Sequence, residues 1–413
     1  MNRSLFSAQT STLLSICLVL AAASCASAKR EGWYDYNSGD CASALARWTP
    51  LAEQGDADAQ FLVGVLHDEG RGVAADPSEA AKWYRLAAEQ GHAAAQTNLG
   101  LLYYDGRGVE KSHTDAATWF GRAAEQGYAR AQTNRGVMYL LGQALPQNHE
   151  QARTLLRLAA QQGDAKAQRL LGSIYHEGIG VEENDKQGAQ WLALAAEQGD
   201  ATAETLLGIL HFGGEGVAQD DGAAAELLRK AADQGLASAQ YSLGWLHWRG
   251  RGVDQDDARA ALWFGRAAEQ GLPVAQTQIG LMLLSGRGVE RNDAQAAHWL
   301  GLAAEQGFAL AQYDLGLLHL KGQGVERDPA LAAQWLRRAA DQGLGVAQEK
   351  LGRLYELGRG VERDEVAAYA WYSASLANGH APAAVERERI ASTLDAAQLA
   401  RAGEVTRGTD GGR

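Results

Sequence analysis

Small and apolar residues recur along the chain with a period of 36 residues, which is too long for one helix or one strand. Each period holds two amphipathic stretches. In the first, Ala59, Val63 and Leu66 have the three-to-four spacing of one helix face. In the second, Ala80 precedes Trp83 by three positions. The pattern predicts two helices of about 13 residues in each period, named here helix A and helix B.

Two glycine series fix the register of these helices. The first closes a recurring Ala-Glu/Asp-Gln-Gly tetrad, at Gly55, Gly91, Gly127, Gly163, Gly199, Gly235, Gly271, Gly307 and Gly343. The second lies in the middle of helix A, at Gly64, Gly100, Gly136, Gly172, Gly208, Gly244, Gly280, Gly316 and Gly352. Because a glycine inside a helix costs about 1 kcal/mol relative to alanine, its recurrence predicts a close helix crossing that admits no side chain.

A polar residue precedes every predicted helix B. This column reads Asp76, Ser112, Asn148, Asn184, Asp220, Asp256, Asn292, Asp328 and Asp364. Such side chains accept hydrogen bonds from the free N–H groups of a first helical turn. We therefore predict a side-chain cap at the start of every helix B.

Neither helix of a period can bury its apolar face alone, so successive hairpins must stack. The predicted fold class is all-α, a right-handed superhelical solenoid of about nine 36-residue helix-turn-helix repeats. The predicted organisation is a signal peptide at 1–28, an N-terminal capping half-repeat at 29–55, nine repeats at 56–379, C-terminal capping helices at 380–403 and a disordered tail at 404–413.

The first residues have the features of an export signal. A basic residue, Arg3, precedes a short apolar run at 13–23, and Ala26-Ser27-Ala28 fits a signal peptidase site. The sequence predicts a periplasmic or secreted protein that begins at Lys29. A lipoprotein acylated at Cys25 is the alternative.

The repeated columns resemble the Sel-one-like repeat family, a branch of the tetratricopeptide-like solenoids. The resemblance rests on residues such as Ala95-Gln96, Leu99-Gly100, Gly106-Arg107-Gly108-Val109, Ala116 and Trp119. It implies an adaptor for macromolecular complexes. A cysteine-rich subgroup of the family is associated with β-lactam binding and hydrolysis, which gives the alternative of a cell-wall or β-lactam-binding protein. Beyond the predicted leader this chain keeps only Cys41, so it lacks the cysteine pairs of that subgroup.

Charge and motif content bear on the class of partner. The formal net charge of −12 disfavours a nucleic-acid partner. No catalytic or phosphate-binding motif is complete. Four histidines, His67, His211, His247 and His319, share a column that elsewhere holds tyrosine or leucine. Such a column is a packing position, so we predict no metal site. Because no motif is complete, we also predict no cofactor and no enzymatic activity.

The candidate site is a stripe on helix A outside the packing columns, at positions spaced i, i+4 and i+7. Phe61 also belongs to this stripe, and the aromatic members proposed as the candidate site are Tyr104, Phe212, Tyr241, Trp245, Trp248 and Tyr313. Exposed aromatic side chains commonly anchor a partner, whereas apolar helix faces are commonly buried against a neighbour. Two interpretations therefore stay open for these aromatics: contact with a protein or peptide partner, and packing within the solenoid. Cell-wall material is a further candidate ligand, and the expected assembly is a monomer.

Overall fold

The computed structural model of the protein describes residues 27–402. Most of the predicted signal peptide, the alternative lipidation site at Cys25 and the predicted tail at 404–413 lie outside these residues. The described chain consists of helices joined by short turns, without a strand, which confirms the predicted all-α class.

The chain divides into two compact units, Met1–Asp200 and Ala201–Arg413. The first unit contains α1 (27–38), α2 (Cys41–Glu53), α3 (Ala57–Glu69), α4 (Pro77–Glu89), α5 (Ala93–Asp105), α6 (His113–Glu125), α7 (Ala129–Leu141), α8 (His149–Gln161), α9 (Ala165–Glu177) and α10 (Asp185–Glu197). From α3 onward, odd-numbered helices are helix A of a hairpin and even-numbered ones helix B.

The second unit continues the same alternation. It contains α11 (Ala201–Gly213), α12 (Asp221–Asp233), α13 (Ala237–Arg249), α14 (Asp257–Glu269), α15 (Pro273–Ser285), α16 (Asp293–Glu305), α17 (Ala309–Lys321), α18 (Pro329–Asp341), α19 (Gly345–Leu357), α20 (Glu365–Ala377), α21 (Ala383–Ala391) and α22 (396–402). Each helix from α11 to α20 has 13 residues, as the 36-residue period predicts.

The mid-helix glycines lie where helix A and helix B of one hairpin cross. An ideal Cβ built on Gly100 would lie 2.7 Å from the ring of Phe120, which is fully buried. On Gly172 it would lie 2.5 Å from Cγ of Leu192. The structure thus explains the repeated glycine, because the crossing leaves no room for a methyl group.

The predicted helix B caps are all present. Each of the nine capping side chains accepts a hydrogen bond from a backbone N–H of the first turn. Asp220, for example, accepts from the N–H of Ala223 at 2.9 Å. These bonds satisfy donors that a helix start otherwise leaves unpaired.

A ladder of glutamine amides, one buried and one exposed in each pair, joins consecutive helices inside each unit. In the second unit, Nε2 of Gln240 donates to the carbonyl of Ala232 at 3.2 Å, and Nε2 of Gln270 donates to Oε1 of Gln240 at 2.8 Å. The pair repeats along the chain with the same spacing of 30 residues between the two amides. The buried amide of each pair therefore links the preceding hairpin to helix B of its own hairpin, which fixes the register of the two.

The Gly-x-Gly turns after helix A need glycine for two different reasons. Gly250 ends α13 in the left-handed conformation, with φ of 66°. Gly252 also has a positive φ, and an ideal Cβ there would lie 1.9 Å from the carbonyl oxygen of Asp221. The second glycine therefore lets the turn press against the first turn of the preceding helix B.

Candidate functional site

A pocket opens between α11 and α13, at the stripe that the sequence analysis singled out. We call it the aromatic pocket. Its volume is about 260 Å³. It is lined by Ile209, Phe212, Leu228, Tyr241, Ser242, Trp245 and Leu246. Ile209 at the rim is 43% exposed, so apolar surface faces solvent at the pocket entrance.

Three predicted aromatics meet in this pocket. The rings of Phe212 and Trp245 pack edge to face, with centroids 5.6 Å apart and planes at 88°. Tyr241 packs at a tilt on the buried ring of Phe264, at 5.5 Å. Burial raises the pKa of the Tyr241 hydroxyl above its usual value. Within residues 27–402 this hydroxyl makes no hydrogen bond, so it can still donate to a ligand or accept from one.

Arginines stack on the outer faces of the aromatic side chains. The guanidinium of Arg251 lies 4.1 Å from the ring centroid of Phe212, while its Nε and Nη2 donate to Asp221 at 2.8 and 2.7 Å. Arg249 lies 5.4 Å from the ring of Trp245. Cation–π contacts of this kind hold the rings in place. The pocket therefore has an apolar lining, and two arginines, of which Arg251 is ion-paired with Asp221, lie against the outer faces of its aromatic rings.

Trp248 lies on the same helix but does not line the pocket. Arg249 stacks on it at 4.5 Å and Arg287 at 5.4 Å. Arg287 is itself held by Asp257, whose carboxylate accepts from Nε at 2.7 Å. Trp248 is half-buried between these two guanidinium groups.

The two other predicted aromatics lie elsewhere. Tyr104 belongs to the first unit, where its hydroxyl donates to Oε1 of Gln143 at 2.7 Å and its ring stacks on His113 at 4.8 Å. Tyr313 packs half-buried against the cluster that contains Leu336 and Leu354. The structure thus brings Phe212, Tyr241 and Trp245 together, whereas Tyr313 packs in another cluster of the same unit and Tyr104 belongs to the first unit.

The sequence analysis missed the arginines, because their position reads as a simple turn. The structure shows that five residues at this turn position contact the stripe residue found 39 positions earlier. The pairs are Asp68 with Arg107, Tyr104 with Gln143, Phe212 with Arg251, Trp248 with Arg287 and Leu320 with Arg359. In most of these pairs the two side chains attract each other: an acid faces a base, a hydroxyl faces an amide, or an aromatic ring faces a cation. The 39-residue spacing was present in the sequence and could have identified Arg251.

The histidine column is a packing column. His247 is buried, and its Nδ1 makes no hydrogen bond within the described chain, while Nδ1 of His319 lies 3.2 Å from the carbonyl oxygen of Glu326. Between residues 27 and 402, no group of three or more His, Cys, Asp or Glu side chains is arranged to hold a metal ion. In the same residues, no helix has the length and apolar character needed to cross a bilayer.

Helical hairpins linked by hydrogen bonds from a buried amide to a backbone carbonyl define the class of protein, an all-α helical-repeat scaffold. The chain belongs to the Sel1 repeat family. The family model matches nine consecutive segments, at 57–92, 93–128, 129–164, 165–200, 201–236, 237–272, 273–308, 309–344 and 345–380. This family is generally a non-catalytic scaffold that commonly mediates protein–protein interaction.

Two solved structures resemble the chain over most of its length. A protective antigen present in uropathogenic Escherichia coli strains displaying an SLR fold is 32% identical, with 95% of this chain and 93% of that chain covered and a TM-score of 0.60. A Sel1 repeat protein from Oxalobacter formigenes is 33% identical, with 75% of this chain and 90% of that chain covered and a TM-score of 0.57. No curated protein matches the chain.

Proposed function

We propose that the protein is an exported, monomeric, non-enzymatic adaptor that binds a protein or peptide partner through the aromatic pocket. The observation that carries the proposal is the pocket itself, in which Phe212, Tyr241 and Trp245 surround an opening of about 260 Å³. Aromatic residues that line a pocket are the usual anchors of protein recognition. The volume suits one large apolar side chain of a partner, with the arginines placed to contact its backbone carbonyls or acidic groups.

The binding test blocks the pocket without removing any of its walls. Ser242 is half-buried and lines the pocket, so Ser242→Trp should fill the opening. The probe is a phage-displayed library of random peptides, selected on the purified full chain, which contains the second unit. We expect peptides with an aromatic or large aliphatic anchor to be enriched by the wild type and lost with Ser242→Trp.

The matched control places tryptophan outside the pocket on the same unit. Leu262 is 52% exposed and does not line the aromatic pocket, so Leu262→Trp adds the same side chain at an unrelated surface. Retained selection by Leu262→Trp and lost selection by Ser242→Trp would support the proposal. Identical peptides from all three proteins would refute it.

Export and the absence of chemistry need separate measurements. We expect N-terminal sequencing of the protein from a bacterial periplasmic fraction to start at Lys29, as the predicted leader implies. If Cys25→Ala moves the protein from membranes to the soluble fraction, it is a lipoprotein instead. Turnover of a chromogenic β-lactam by the purified chain would refute the non-enzymatic assignment and favour the alternative of a cell-wall or β-lactam-binding protein.

A further inference from the structure

A second opening lies in the second unit between α17, α19 and the turn that follows α19. We call it the basic cleft. Its volume is about 290 Å³. It is lined by Leu317, Leu320, Lys321, Lys350, Arg353, Leu354, Leu357 and Arg359. Four cationic side chains therefore surround an aliphatic floor, and none of the lining residues is acidic.

The cations of this cleft lack strong ion pairs. Within residues 27–402, neither Lys321 nor Arg353 has a carboxylate oxygen within 4.0 Å. Nζ of Lys350 reaches Oε1 of Glu349 only at 3.8 Å. Asp314 is half-buried on α17 and does not line the cleft. Elsewhere in this unit arginines find close partners, as Arg251 does at 2.7 Å from Asp221.

Nearby carboxylates are bound to other residues. Oε2 of Glu349 lies 2.9 Å from Nε2 of His380. Oε2 of Glu356 accepts from Nη2 of Arg389 at 2.7 Å and from the hydroxyl of Tyr372 at 2.8 Å. Glu356 and Asp314 interact with Arg353 and Lys321 only beyond ion-pair distance, so these two cations remain able to pair with a ligand.

The floor of the cleft is the second observation that points to a ligand. Leu357 is 57% exposed beside these cations, so it offers apolar surface that a bound ligand would cover. Lys350 and Arg353 are three residues apart on α19, so they lie on one face of the helix. A ligand that lies along this face meets cations and leucines together.

We infer that the basic cleft binds an acidic segment of a partner polypeptide that also carries aliphatic side chains. This inference rests on the proposed function in one respect, since it takes the occupant to be a polypeptide. Carboxylates of the segment would pair with Lys321 and Arg353, and its aliphatic groups would cover Leu357. The overall charge of −12 does not prevent this, because charges more than about 10 Å apart are largely screened at 0.1 M salt. The cleft has no aromatic side chain on which a nucleic-acid base would stack.

The test reverses two cations that form no close ion pair in the described chain. Lys321 and Arg353 are exposed, so the double variant Lys321→Glu, Arg353→Glu should fold. Arg229 and Arg401 are exposed on the same unit and do not line the cleft, so Arg229→Glu, Arg401→Glu is a control with the same change of net charge. The probe is a short fluorescent peptide that repeats Glu-Glu-Leu, with Gln-Gln-Leu and Lys-Lys-Leu peptides as comparisons.

We expect the Glu-Glu-Leu peptide to bind the wild type and the control variant equally, and the cleft variant about tenfold more weakly, because each exposed ion pair contributes a few-fold. Binding should weaken with salt. Equal binding to both variants, or equal binding of the Gln-Gln-Leu peptide, would overturn the inference. Binding of anionic lipid vesicles without binding of the peptide would also overturn it.

Failure of this inference can be told apart from failure of the proposed function. Ser242→Trp blocks the aromatic pocket and leaves the basic cleft intact, so it should not change binding of the Glu-Glu-Leu peptide. If that peptide binds while Ser242→Trp leaves the phage selection unchanged, only the proposed role of the aromatic pocket fails.

Discussion

Two glycines in one hairpin should respond in opposite ways to the same substitution. Gly244 lies in the middle of α13, and an ideal Cβ there would lie 2.9 Å from the ring of Phe264 and 3.2 Å from the carbonyl oxygen of Ala260. Phe264 is only 1% exposed, so it has no free space into which to move. Gly265 lies in the middle of α14, and its Cβ would meet no heavy atom within 4 Å.

The expected magnitudes follow from two opposing terms. Alanine in place of glycine inside a helix stabilises it by about 0.5–1 kcal/mol. An extra methyl group in a closely packed core costs about 1–3 kcal/mol. Gly265→Ala has only the first term, so it should raise the free energy of unfolding by up to about 1 kcal/mol. Gly244→Ala has both terms, and the clash with a ring that cannot move should lower that free energy by about 1 kcal/mol.

Urea denaturation of the full chain, followed by circular dichroism, measures the difference. Because helical repeats can unfold in stages, the midpoint and the slope should both be compared. The next hairpin supplies a replicate, since a Cβ on Gly280 would lie 2.9 Å from Cγ of Leu300 and one on Gly301 meets nothing within 4 Å. If Gly244→Ala stabilises the chain as much as Gly265→Ala, the crossing has room for a methyl group and the explanation given for the glycine column is wrong.

Three further substitutions test local features. Ala144 has a φ of 56° at a position where most repeats have glycine. Ala144→Gly should therefore relieve backbone strain of about 1 kcal/mol and raise the urea midpoint. An unchanged or lower midpoint would show that there is no strain. Arg251→Lys removes the bidentate and stacked geometry beside Phe212, so the free energy of unfolding in a thermal melt should fall by about 1 kcal/mol or less. If only the charge of residue 251 matters, this loss will be absent. Burial raises the pKa of Asp314 from 3.8 to about 6, although Lys321 lowers it. The resulting stability is fully present below the unfolded-state pKa and is lost as pH rises to the folded-state pKa. The melting temperature should therefore fall between about pH 4 and 6, and Asp314→Asn should flatten that part of the profile.

The fold was predictable because its requirements recur in every hairpin. The glycine of the crossing, the cap of helix B and the glycine of the turn each answer one steric or hydrogen-bonding need, and the chain meets that need at the same position in each period. The cap column shows this well, since Asp220 and eight equivalents all accept from the first turn. Local chemistry and repeat spacing agree, so the sequence alone indicates the hairpins and their bounds.

The site was predictable only in part, because its members come from neighbouring hairpins. The stripe pattern identified Phe212, Tyr241 and Trp245, but it also selected Tyr104, whose hydroxyl is already bonded to Gln143. A helix-face pattern describes one helix, whereas occupancy of that face depends on the turn of the next repeat. The 39-residue spacing between a stripe residue and a turn residue is visible in the sequence. Only the structure shows that residues with this spacing are in contact.

The aromatic pocket and the basic cleft occupy equivalent positions in different repeats. Ile209 and Phe212 on α11 correspond to Leu317 and Leu320 on α17, and Trp245 on α13 corresponds to Arg353 on α19, each pair separated by 108 residues, or three periods of 36. Both openings therefore lie between the A helices of adjacent hairpins that have the same glycine crossing and the same turn. Because the repeated columns fix this backbone, side chains outside those columns are free to differ in chemistry from repeat to repeat. A difference in ligand preference between the two openings then comes from side chains alone.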